Sequence, residues 1–252
     1  SGAKIFIGRE KIENLSKKFD LIIHSPAVQR PTLNTKWQCR TLSYPEALGE
    51  LTKQHFTIAI SGTHGKSTTT AMISLILIKA GFDPTVIVGT KLKEFGNSNC
   101  RVGSSQYLII EADEHLASFL NYWPKIIVLT NIEADHLDYY KNLNNILKAF
   151  KKYISHLPKD GILIANKDDQ NIQKINRGRA FVSYSLKQKE AGKLKKILKV
   201  PGEHNIYNAL AALTCARALK IPDKISFKAL SEYRGAWRRF EIVQTKPFIL
   251  IS

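Results

Sequence analysis

Residues 56–70, Phe-Thr-Ile-Ala-Ile-Ser-Gly-Thr-His-Gly-Lys-Ser-Thr-Thr-Thr, constrain the fold more than any other stretch. A short apolar run ends in a turn flanked by Gly62 and Gly65. Lys66 and Ser67 follow, and a long helical pattern begins at once. This is the layout of a strand feeding a phosphate-binding loop at a helix N-terminus. The two glycines permit a tight backbone path that turns N–H groups toward an anion. The positive end of the helix adds its field at the same place. In such a loop Lys66 neutralises the β/γ-phosphates and the Ser67 hydroxyl holds Mg²⁺. The common form, G-x-x-x-x-G-K-[ST], requires Gly at position 60. Ile60 stands there, so the loop is the shorter G-x-x-G-K-S.

From this strand onward, apolar runs and helical patterns alternate. Strands are expected at 56–61, 85–88, 107–111, 125–130, 161–165 and 180–184. Helices are expected at 66–80 (ending at Gly81), 143–156, 169–175, 205–219 and 223–233. Alternation of this kind predicts an α/β fold, a mostly parallel sheet with helices on both faces. Ligands then bind at the carboxyl ends of the strands. The Gly-, Asn- and Ser-rich residues 90–105 read as a loop, and the Lys-rich run 186–199 as exposed. Ahead of the loop, a strand at 19–24 and a helix at 45–54 opened by Pro45 look like the end of a small Rossmann-like segment. A last apolar stretch, 241–251, begins a strand.

Hydrophobic residues make up 44% of the 252-residue chain, enough for a sizeable core, and no apolar run reaches the length of a membrane span. The first residues lack the features of a signal peptide. Cys39, Cys100 and Cys215 are scattered, with neither a disulfide framework nor metal spacing, so a reducing cytoplasm is expected. The net charge of +17 invites a nucleic-acid reading. However, the lysines are spread along the chain without aromatic–basic interleaving. A solvated surface accounts for them, and no nucleic-acid or membrane partner is expected. Nothing in the sequence sets an oligomeric state.

Three strand or helix ends carry candidate chemistry beside the loop. Glu111-Ala-Asp-Glu114 follows the strand at 107–111, where a carboxylate meets the Mg²⁺ that bridges nucleotide phosphates. Asn131-Ile-Glu-Ala-Asp-His136 follows the strand at 125–130, and His136 there is either a ligand of a second metal or a substrate contact. Gly202-Glu-His-Asn-Ile-Tyr-Asn208 opens a helix. Asn205 is a candidate N-cap, and Asn208 has an amide able to pair with both a donor and an acceptor of adenine. Finally, Trp237-Arg238-Arg239-Phe240 offers guanidinium forks for phosphate.

Taken in order, Ser-Gly-Thr-His-Gly-Lys-Ser, Glu-Ala-Asp-Glu, Thr-Asn-Ile-Glu-Ala-Asp-His-Leu-Asp, Gly-Glu-His-Asn-Ile-Tyr-Asn-Ala and Gly-Ala-Trp-Arg-Arg-Phe-Glu resemble the Mur ligase family, across nearly the whole chain. The short loop is that family's form. The resemblance implies ATP and Mg²⁺ as cofactors. Gly62, Thr63, His64, Gly65, Lys66, Ser67 and Thr68 would cradle the nucleotide, with Asn208 at adenine and Arg239 at a phosphate. Ser67, Glu111 and His136 would hold Mg²⁺, and Lys66, Glu111 and His136 would be the catalytic set. Within the family the motifs look like the member that joins L-alanine to UDP-N-acetylmuramate through an acyl phosphate, in peptidoglycan precursor synthesis. Two further readings are a muropeptide-recycling or folylpolyglutamate-like ligase, and a non-catalytic nucleotide-binding fragment. The family usually has small or acidic residues after Glu114, where this chain has His115 and Leu116. The expected layout is 1–53 from an N-terminal UDP-substrate domain, 54–242 as the central ATPase domain and 243–252 as a stub of a C-terminal domain. Such a piece is expected to bind ATP weakly and to fail at ligation alone.

Overall fold

The computed structural model describes residues 20–26, 40–176, 180–237, 242–244 and 250–251. The chain falls into two compact units, Ser1–Leu48 and Gly49–Ser252. In the first, β1 (Leu21–His24) pairs in parallel with β2 (Arg40–Ser43). Helix α1 (Tyr44–Gln54) then starts one residue ahead of Pro45. Ser43 N–H and Oγ both donate to Glu46 Oε2 at 2.8 Å, which is the reach-back half of a capping box.

The second unit is built on a seven-stranded sheet. In chain order its strands are β3 (Phe56–Ser61), β4 (Thr85–Leu92), β5 (Ser98–Arg101), β6 (Tyr107–Glu111), β7 (Ile126–Leu129), β8 (Ile162–Asn166) and β9 (Val182–Tyr184). In space the order is β5-β4-β6-β3-β7-β8-β9, and every pairing is parallel except β4 with the edge strand β5. The central strands are buried on both faces, which is why they read as continuous apolar runs rather than alternating ones.

One face of the sheet presents Ile58, Ile60, Val86, Val88, Ile109, Ile126, Val128, Ile164 and Tyr184 to a single core. Over it lie α2 (Lys66–Lys79), α6 (Lys189–Ile197), α7 (Glu203–Ala218) and α8 (Asp223–Glu232). Helix α2 packs on α7 and α8 and is buried nearly all round. Two of its buried hydroxyls bond within the helix: Thr70 Oγ1 donates to Lys66 O and Ser74 Oγ to Thr70 O. Ala209, Ala211, Ala212 and Ala216 let α7 approach closely. Away from this core, α4 (Leu143–Ile154) brings Phe150 and Tyr153 onto Phe119 of a 3₁₀ segment, His115–Asn121. The remaining helices, α3 (Leu137–Tyr140) and α5 (Gln170–Ile175), are short. A terminal pair, β10 (Ile242–Gln244) and β11 (Leu250–Ile251), is antiparallel.

Three expectations need correction. Residues 90–105 are not simply a loop. Strand β4 runs on to Leu92, and β5 pairs beside it. The register is held by Asp83, which bonds Ser104 and Arg101 across the hairpin. The run 186–199 is not merely exposed: it forms α6, whose Leu194 is fully buried against the main core. One fully buried apolar residue amid the six lysines of 186–199 is too weak a pattern to read. Finally, Asn205 is not an N-cap. Gly202 takes that position with φ +98°, and Asn205 lies inside the first turn, donating to Pro201 O at 2.6 Å.

Candidate functional site

Strands β3, β6 and β7 are parallel neighbours, so their carboxyl ends open on one edge of the sheet. β3 sits where the strand order turns from one direction to the other, and a ligand crevice is expected there. Gly62 and Gly65 sit at φ +131° and +83°. A Cβ at Gly62 would stand 2.2 Å from Thr130 Oγ1, and one at Gly65 would stand 2.3 Å from Asn208 Oδ1. Only glycine meets both the backbone and the packing demands.

The loop is clamped from the end of β7. Thr63 N–H donates to Asn131 O (3.0 Å), and His64 N–H donates to Asn131 Oδ1 (2.8 Å). Asn131 Nδ2 and Thr130 Oγ1 donate back to His64 O at 3.0 and 2.6 Å. With these two amides engaged, the anion-facing role falls to the opening amides of α2. Those amides have no intrahelical carbonyl to bond. They border a cleft of about 250 Å³ lined by Thr63–Thr68, Glu111, His204, Asn205 and Asn208.

Lys66 is folded back over the loop. Its Nζ donates to Gly62 O (2.8 Å), Thr63 O (3.2 Å) and Glu114 Oε2 (2.9 Å), and lies 3.6 Å from Asp113 Oδ1. Glu114 is buried, and burial raises its carboxyl above the ordinary range while the Lys66 ammonium pulls the other way. Burial also pushes Asp113 up, but the Lys66 charge and the His115 amide outweigh it and leave Asp113 below its ordinary value.

Ser67 Oγ donates to Glu111 Oε1 at 3.0 Å, and Gly89 N–H donates to Glu111 Oε2 at 2.7 Å. A hydroxyl beside an oriented carboxylate at a phosphate loop is a hard-oxygen donor set that fits Mg²⁺. His136 keeps different company. It can offer a ring nitrogen together with one oxygen each from Asp113 and Glu114, all within 4.8 Å of one another. Such a mixed nitrogen and carboxylate set also fits a divalent cation. Asn208 is buried. Its Oδ1 accepts from Thr69 Oγ1, and its Nδ2 donates to Asn205 Oδ1, both at 3.2 Å. It lines a second cleft of about 500 Å³ together with His64, Asn166, Asp168, Tyr184 and Tyr207. Arg239 lies outside the described residues.

The profile described as the Mur ligase middle domain matches residues 60–216, well over half of the chain. The chain belongs to the Mur ligase family. Among curated proteins, it is 39% identical to the UDP-N-acetylmuramate--L-alanine ligase of Clostridium novyi, over 96% of this chain and 58% of that protein. It is 40% identical to the enzyme of the same name from Clostridium tetani, over 96% and 59%. The chain thus spans under two thirds of the length of these relatives. Among solved structures, the UDP-N-acetylmuramate-alanine ligase of Thermotoga maritima has a TM-score of 0.73 at 25% identity, over 92% of this chain and 60% of that one. The UDP-N-acetylmuramate:L-alanyl-γ-D-glutamyl-meso-diaminopimelate ligase from Neisseria meningitides has a TM-score of 0.76 at 22% identity, over 90% and 82%. The latter shows the shared fold.

Several residues that build this candidate site carry no obvious sequence signal. Thr130 and Asn131 open a string in which His136 draws attention, yet they are the loop's clamp. Gly89 orients Glu111 from within β4. Glu114 is readable as an acid but not as the partner of Lys66. Tyr140, whose hydroxyl donates to Glu114 O at 2.6 Å, looks like an ordinary helix residue. Tyr207 donates to Asp168 Oδ2 at 3.1 Å, a contact of two distant segments.

Proposed function

We propose that this chain is the nucleotide-handling part of an ATP-dependent ligase that joins L-alanine to UDP-N-acetylmuramate. The observation that carries the reading is the coincidence of the short phosphate loop, the Ser67–Glu111 pair and the names of the relatives at 39–40% identity. Residues 54–242 are assigned to the ATP-handling domain, with 1–53 and 243–252 belonging to flanking domains. The reaction is placed in the cytoplasm, with small-molecule substrates and neither nucleic acid nor membrane as partner.

A carboxylate resists attack by an amine because its resonance would be lost and the leaving group would be an oxide. Transfer of the γ-phosphoryl group to the muramoyl carboxylate gives an acyl phosphate, from which the alanine amine expels phosphate. Phosphoryl transfer asks for positioning and charge stabilisation rather than a side-chain nucleophile. Lys66, once turned from Glu114 toward the nucleotide, neutralises the β/γ-phosphates, and the opening amides of α2 bind their oxygens. Ser67 and Glu111 would hold one Mg²⁺ and His136 a second, and ions there would supply charge neutralisation at the phosphates. Asn208 takes adenine in the larger cleft, and Arg239 takes a phosphate.

The test is ADP release by the full-length ligase that carries this chain, with ATP, Mg²⁺ and UDP-N-acetylmuramate, comparing L-alanine with an L-Ala-γ-D-Glu-diaminopimelate tripeptide. Release that depends on L-alanine and is lost in Lys66→Ala supports the reading. Release that depends on the tripeptide in place of L-alanine contradicts it.

A further inference from the structure

His136 and Glu114 sit on separate loops, one after β7 and one after β6, and both loops carry backbone strain. Leu116 and Ala117 adopt φ +51° and +54°, and His136 itself φ +50°. A left-handed conformation costs a non-glycine residue roughly 1–2 kcal/mol, so a surrounding structure must hold each one in place. Two contacts join the loops. Tyr140, one turn after His136, donates its hydroxyl to Glu114 O at 2.6 Å. The ring of His115 lies against the ring of His136, with centroids 4.6 Å apart and planes tilted by 39°. The His115 turn is also tied internally. Its amide donates to Asp113 Oδ1 at 3.3 Å, Ala117 N–H donates to Glu114 O at 2.8 Å, and Ser118 Oγ donates to His115 O at 2.8 Å.

A ligating imidazole is usually oriented by a hydrogen bond from its second nitrogen to a carboxylate or carbonyl. Here Asp135 Oδ2 stands 4.0 Å from His136 Nε2, too far for one. Orientation must therefore come from packing, and the His115 ring supplies a face for it. We propose that His115 is a positioning residue. By packing its tilted ring on His136 it fixes the imidazole against the Asp113 and Glu114 carboxylates, so that the three can share one divalent cation. This rests on the reading of His136 as a metal ligand. His115 is exposed, and its side chain meets the site through that ring while its amide bond to Asp113 survives any substitution of the side chain, so the ring's role is separable from stability. The ring contact needs an aromatic side chain at position 115 and not a titratable one.

The experiment measures binding of Mn²⁺ alone to the 252-residue chain by electron paramagnetic resonance of the free ion. It compares His115→Ser, His115→Phe and His136→Ala, with melting temperatures recorded alongside. His115→Ser is expected to weaken Mn²⁺ binding about three- to tenfold, the range of an aromatic pair's coupling. His115→Phe is expected to restore it to within about twofold. Melting temperatures should stay unchanged in both. Unchanged binding in His115→Ser, with His136→Ala weakened, overturns the proposal while leaving His136 as a ligand. Equal weakening in His115→Ser and His115→Phe overturns it as well, because the ring face is then not what matters. If His136→Ala itself binds Mn²⁺ normally, the metal reading of His136 falls first and the positioning role falls with it.

Discussion

An added Cβ at Gly65 would stand 2.3 Å from Asn208 Oδ1, on a backbone with φ +83°. The amide it would strike is held by Thr69 and Asn205, so it cannot swing aside cheaply. Gly65→Ala is therefore expected to destabilise the chain by more than about 1 kcal/mol, the cost of the left-handed conformation alone. In an Asn208→Ala background the same change should cost less, because the steric part has been removed. Denaturant melts of the two singles and the double would show this coupling, and strict additivity would contradict the geometry. At this scale the sequence was readable where a residue type has few uses. Lys66, Ser67 and the two glycines were identifiable because only a phosphate loop asks for them together. Asn131 and Gly89 were not, because their work is hydrogen bonding between segments separated along the chain.

Among the elements, the β4–β5 edge and α6 are what the sequence concealed. Asp83 joins the edge through Ser104 and Arg101, and those hydrogen bonds hold its carboxyl well below the ordinary aspartate range. A depressed folded-state value means that the charged form stabilises the fold above the unfolded pKa, about 3.9. That stability is then lost as pH falls toward the folded value. Asp83→Asn should thus melt below the parent at pH 7, and the gap should narrow as pH drops below about 4. A gap that widens in acid would contradict the assignment. In α6, Leu194→Ala removes a fully buried side chain, and a loss of about 2–5 kcal/mol is expected from chemical denaturation. A change within about 0.5 kcal/mol would mean that the helix is surface dressing. The strands were legible for a physical reason. A parallel strand buried on both faces leaves an unbroken apolar run, as in Ile126–Leu129. The short, mostly polar edge strand β5 and the Lys-rich α6 leave no such run, since each buries little of itself.

Across the whole molecule, the sheet brings three strand ends to one edge, and the phosphate loop lies where the strand order reverses. Thiol chemistry offers an independent check on how well the core is closed. Cys215 is buried, and burial pushes its thiol up to about 12, whereas Cys100 is exposed. A thiol reagent should label Cys100 rapidly and Cys215 only on unfolding. The central claim is that the Lys66 loop holds the phosphates of ATP at that edge. Calorimetric titration of ATP with Mg²⁺ into the 252-residue chain and into Lys66→Ala tests it most directly. Binding should be measurable and should fall at least about tenfold on loss of the Lys66 charge, as expected when a charge-assisted phosphate contact is removed. Equal binding by both proteins would contradict it.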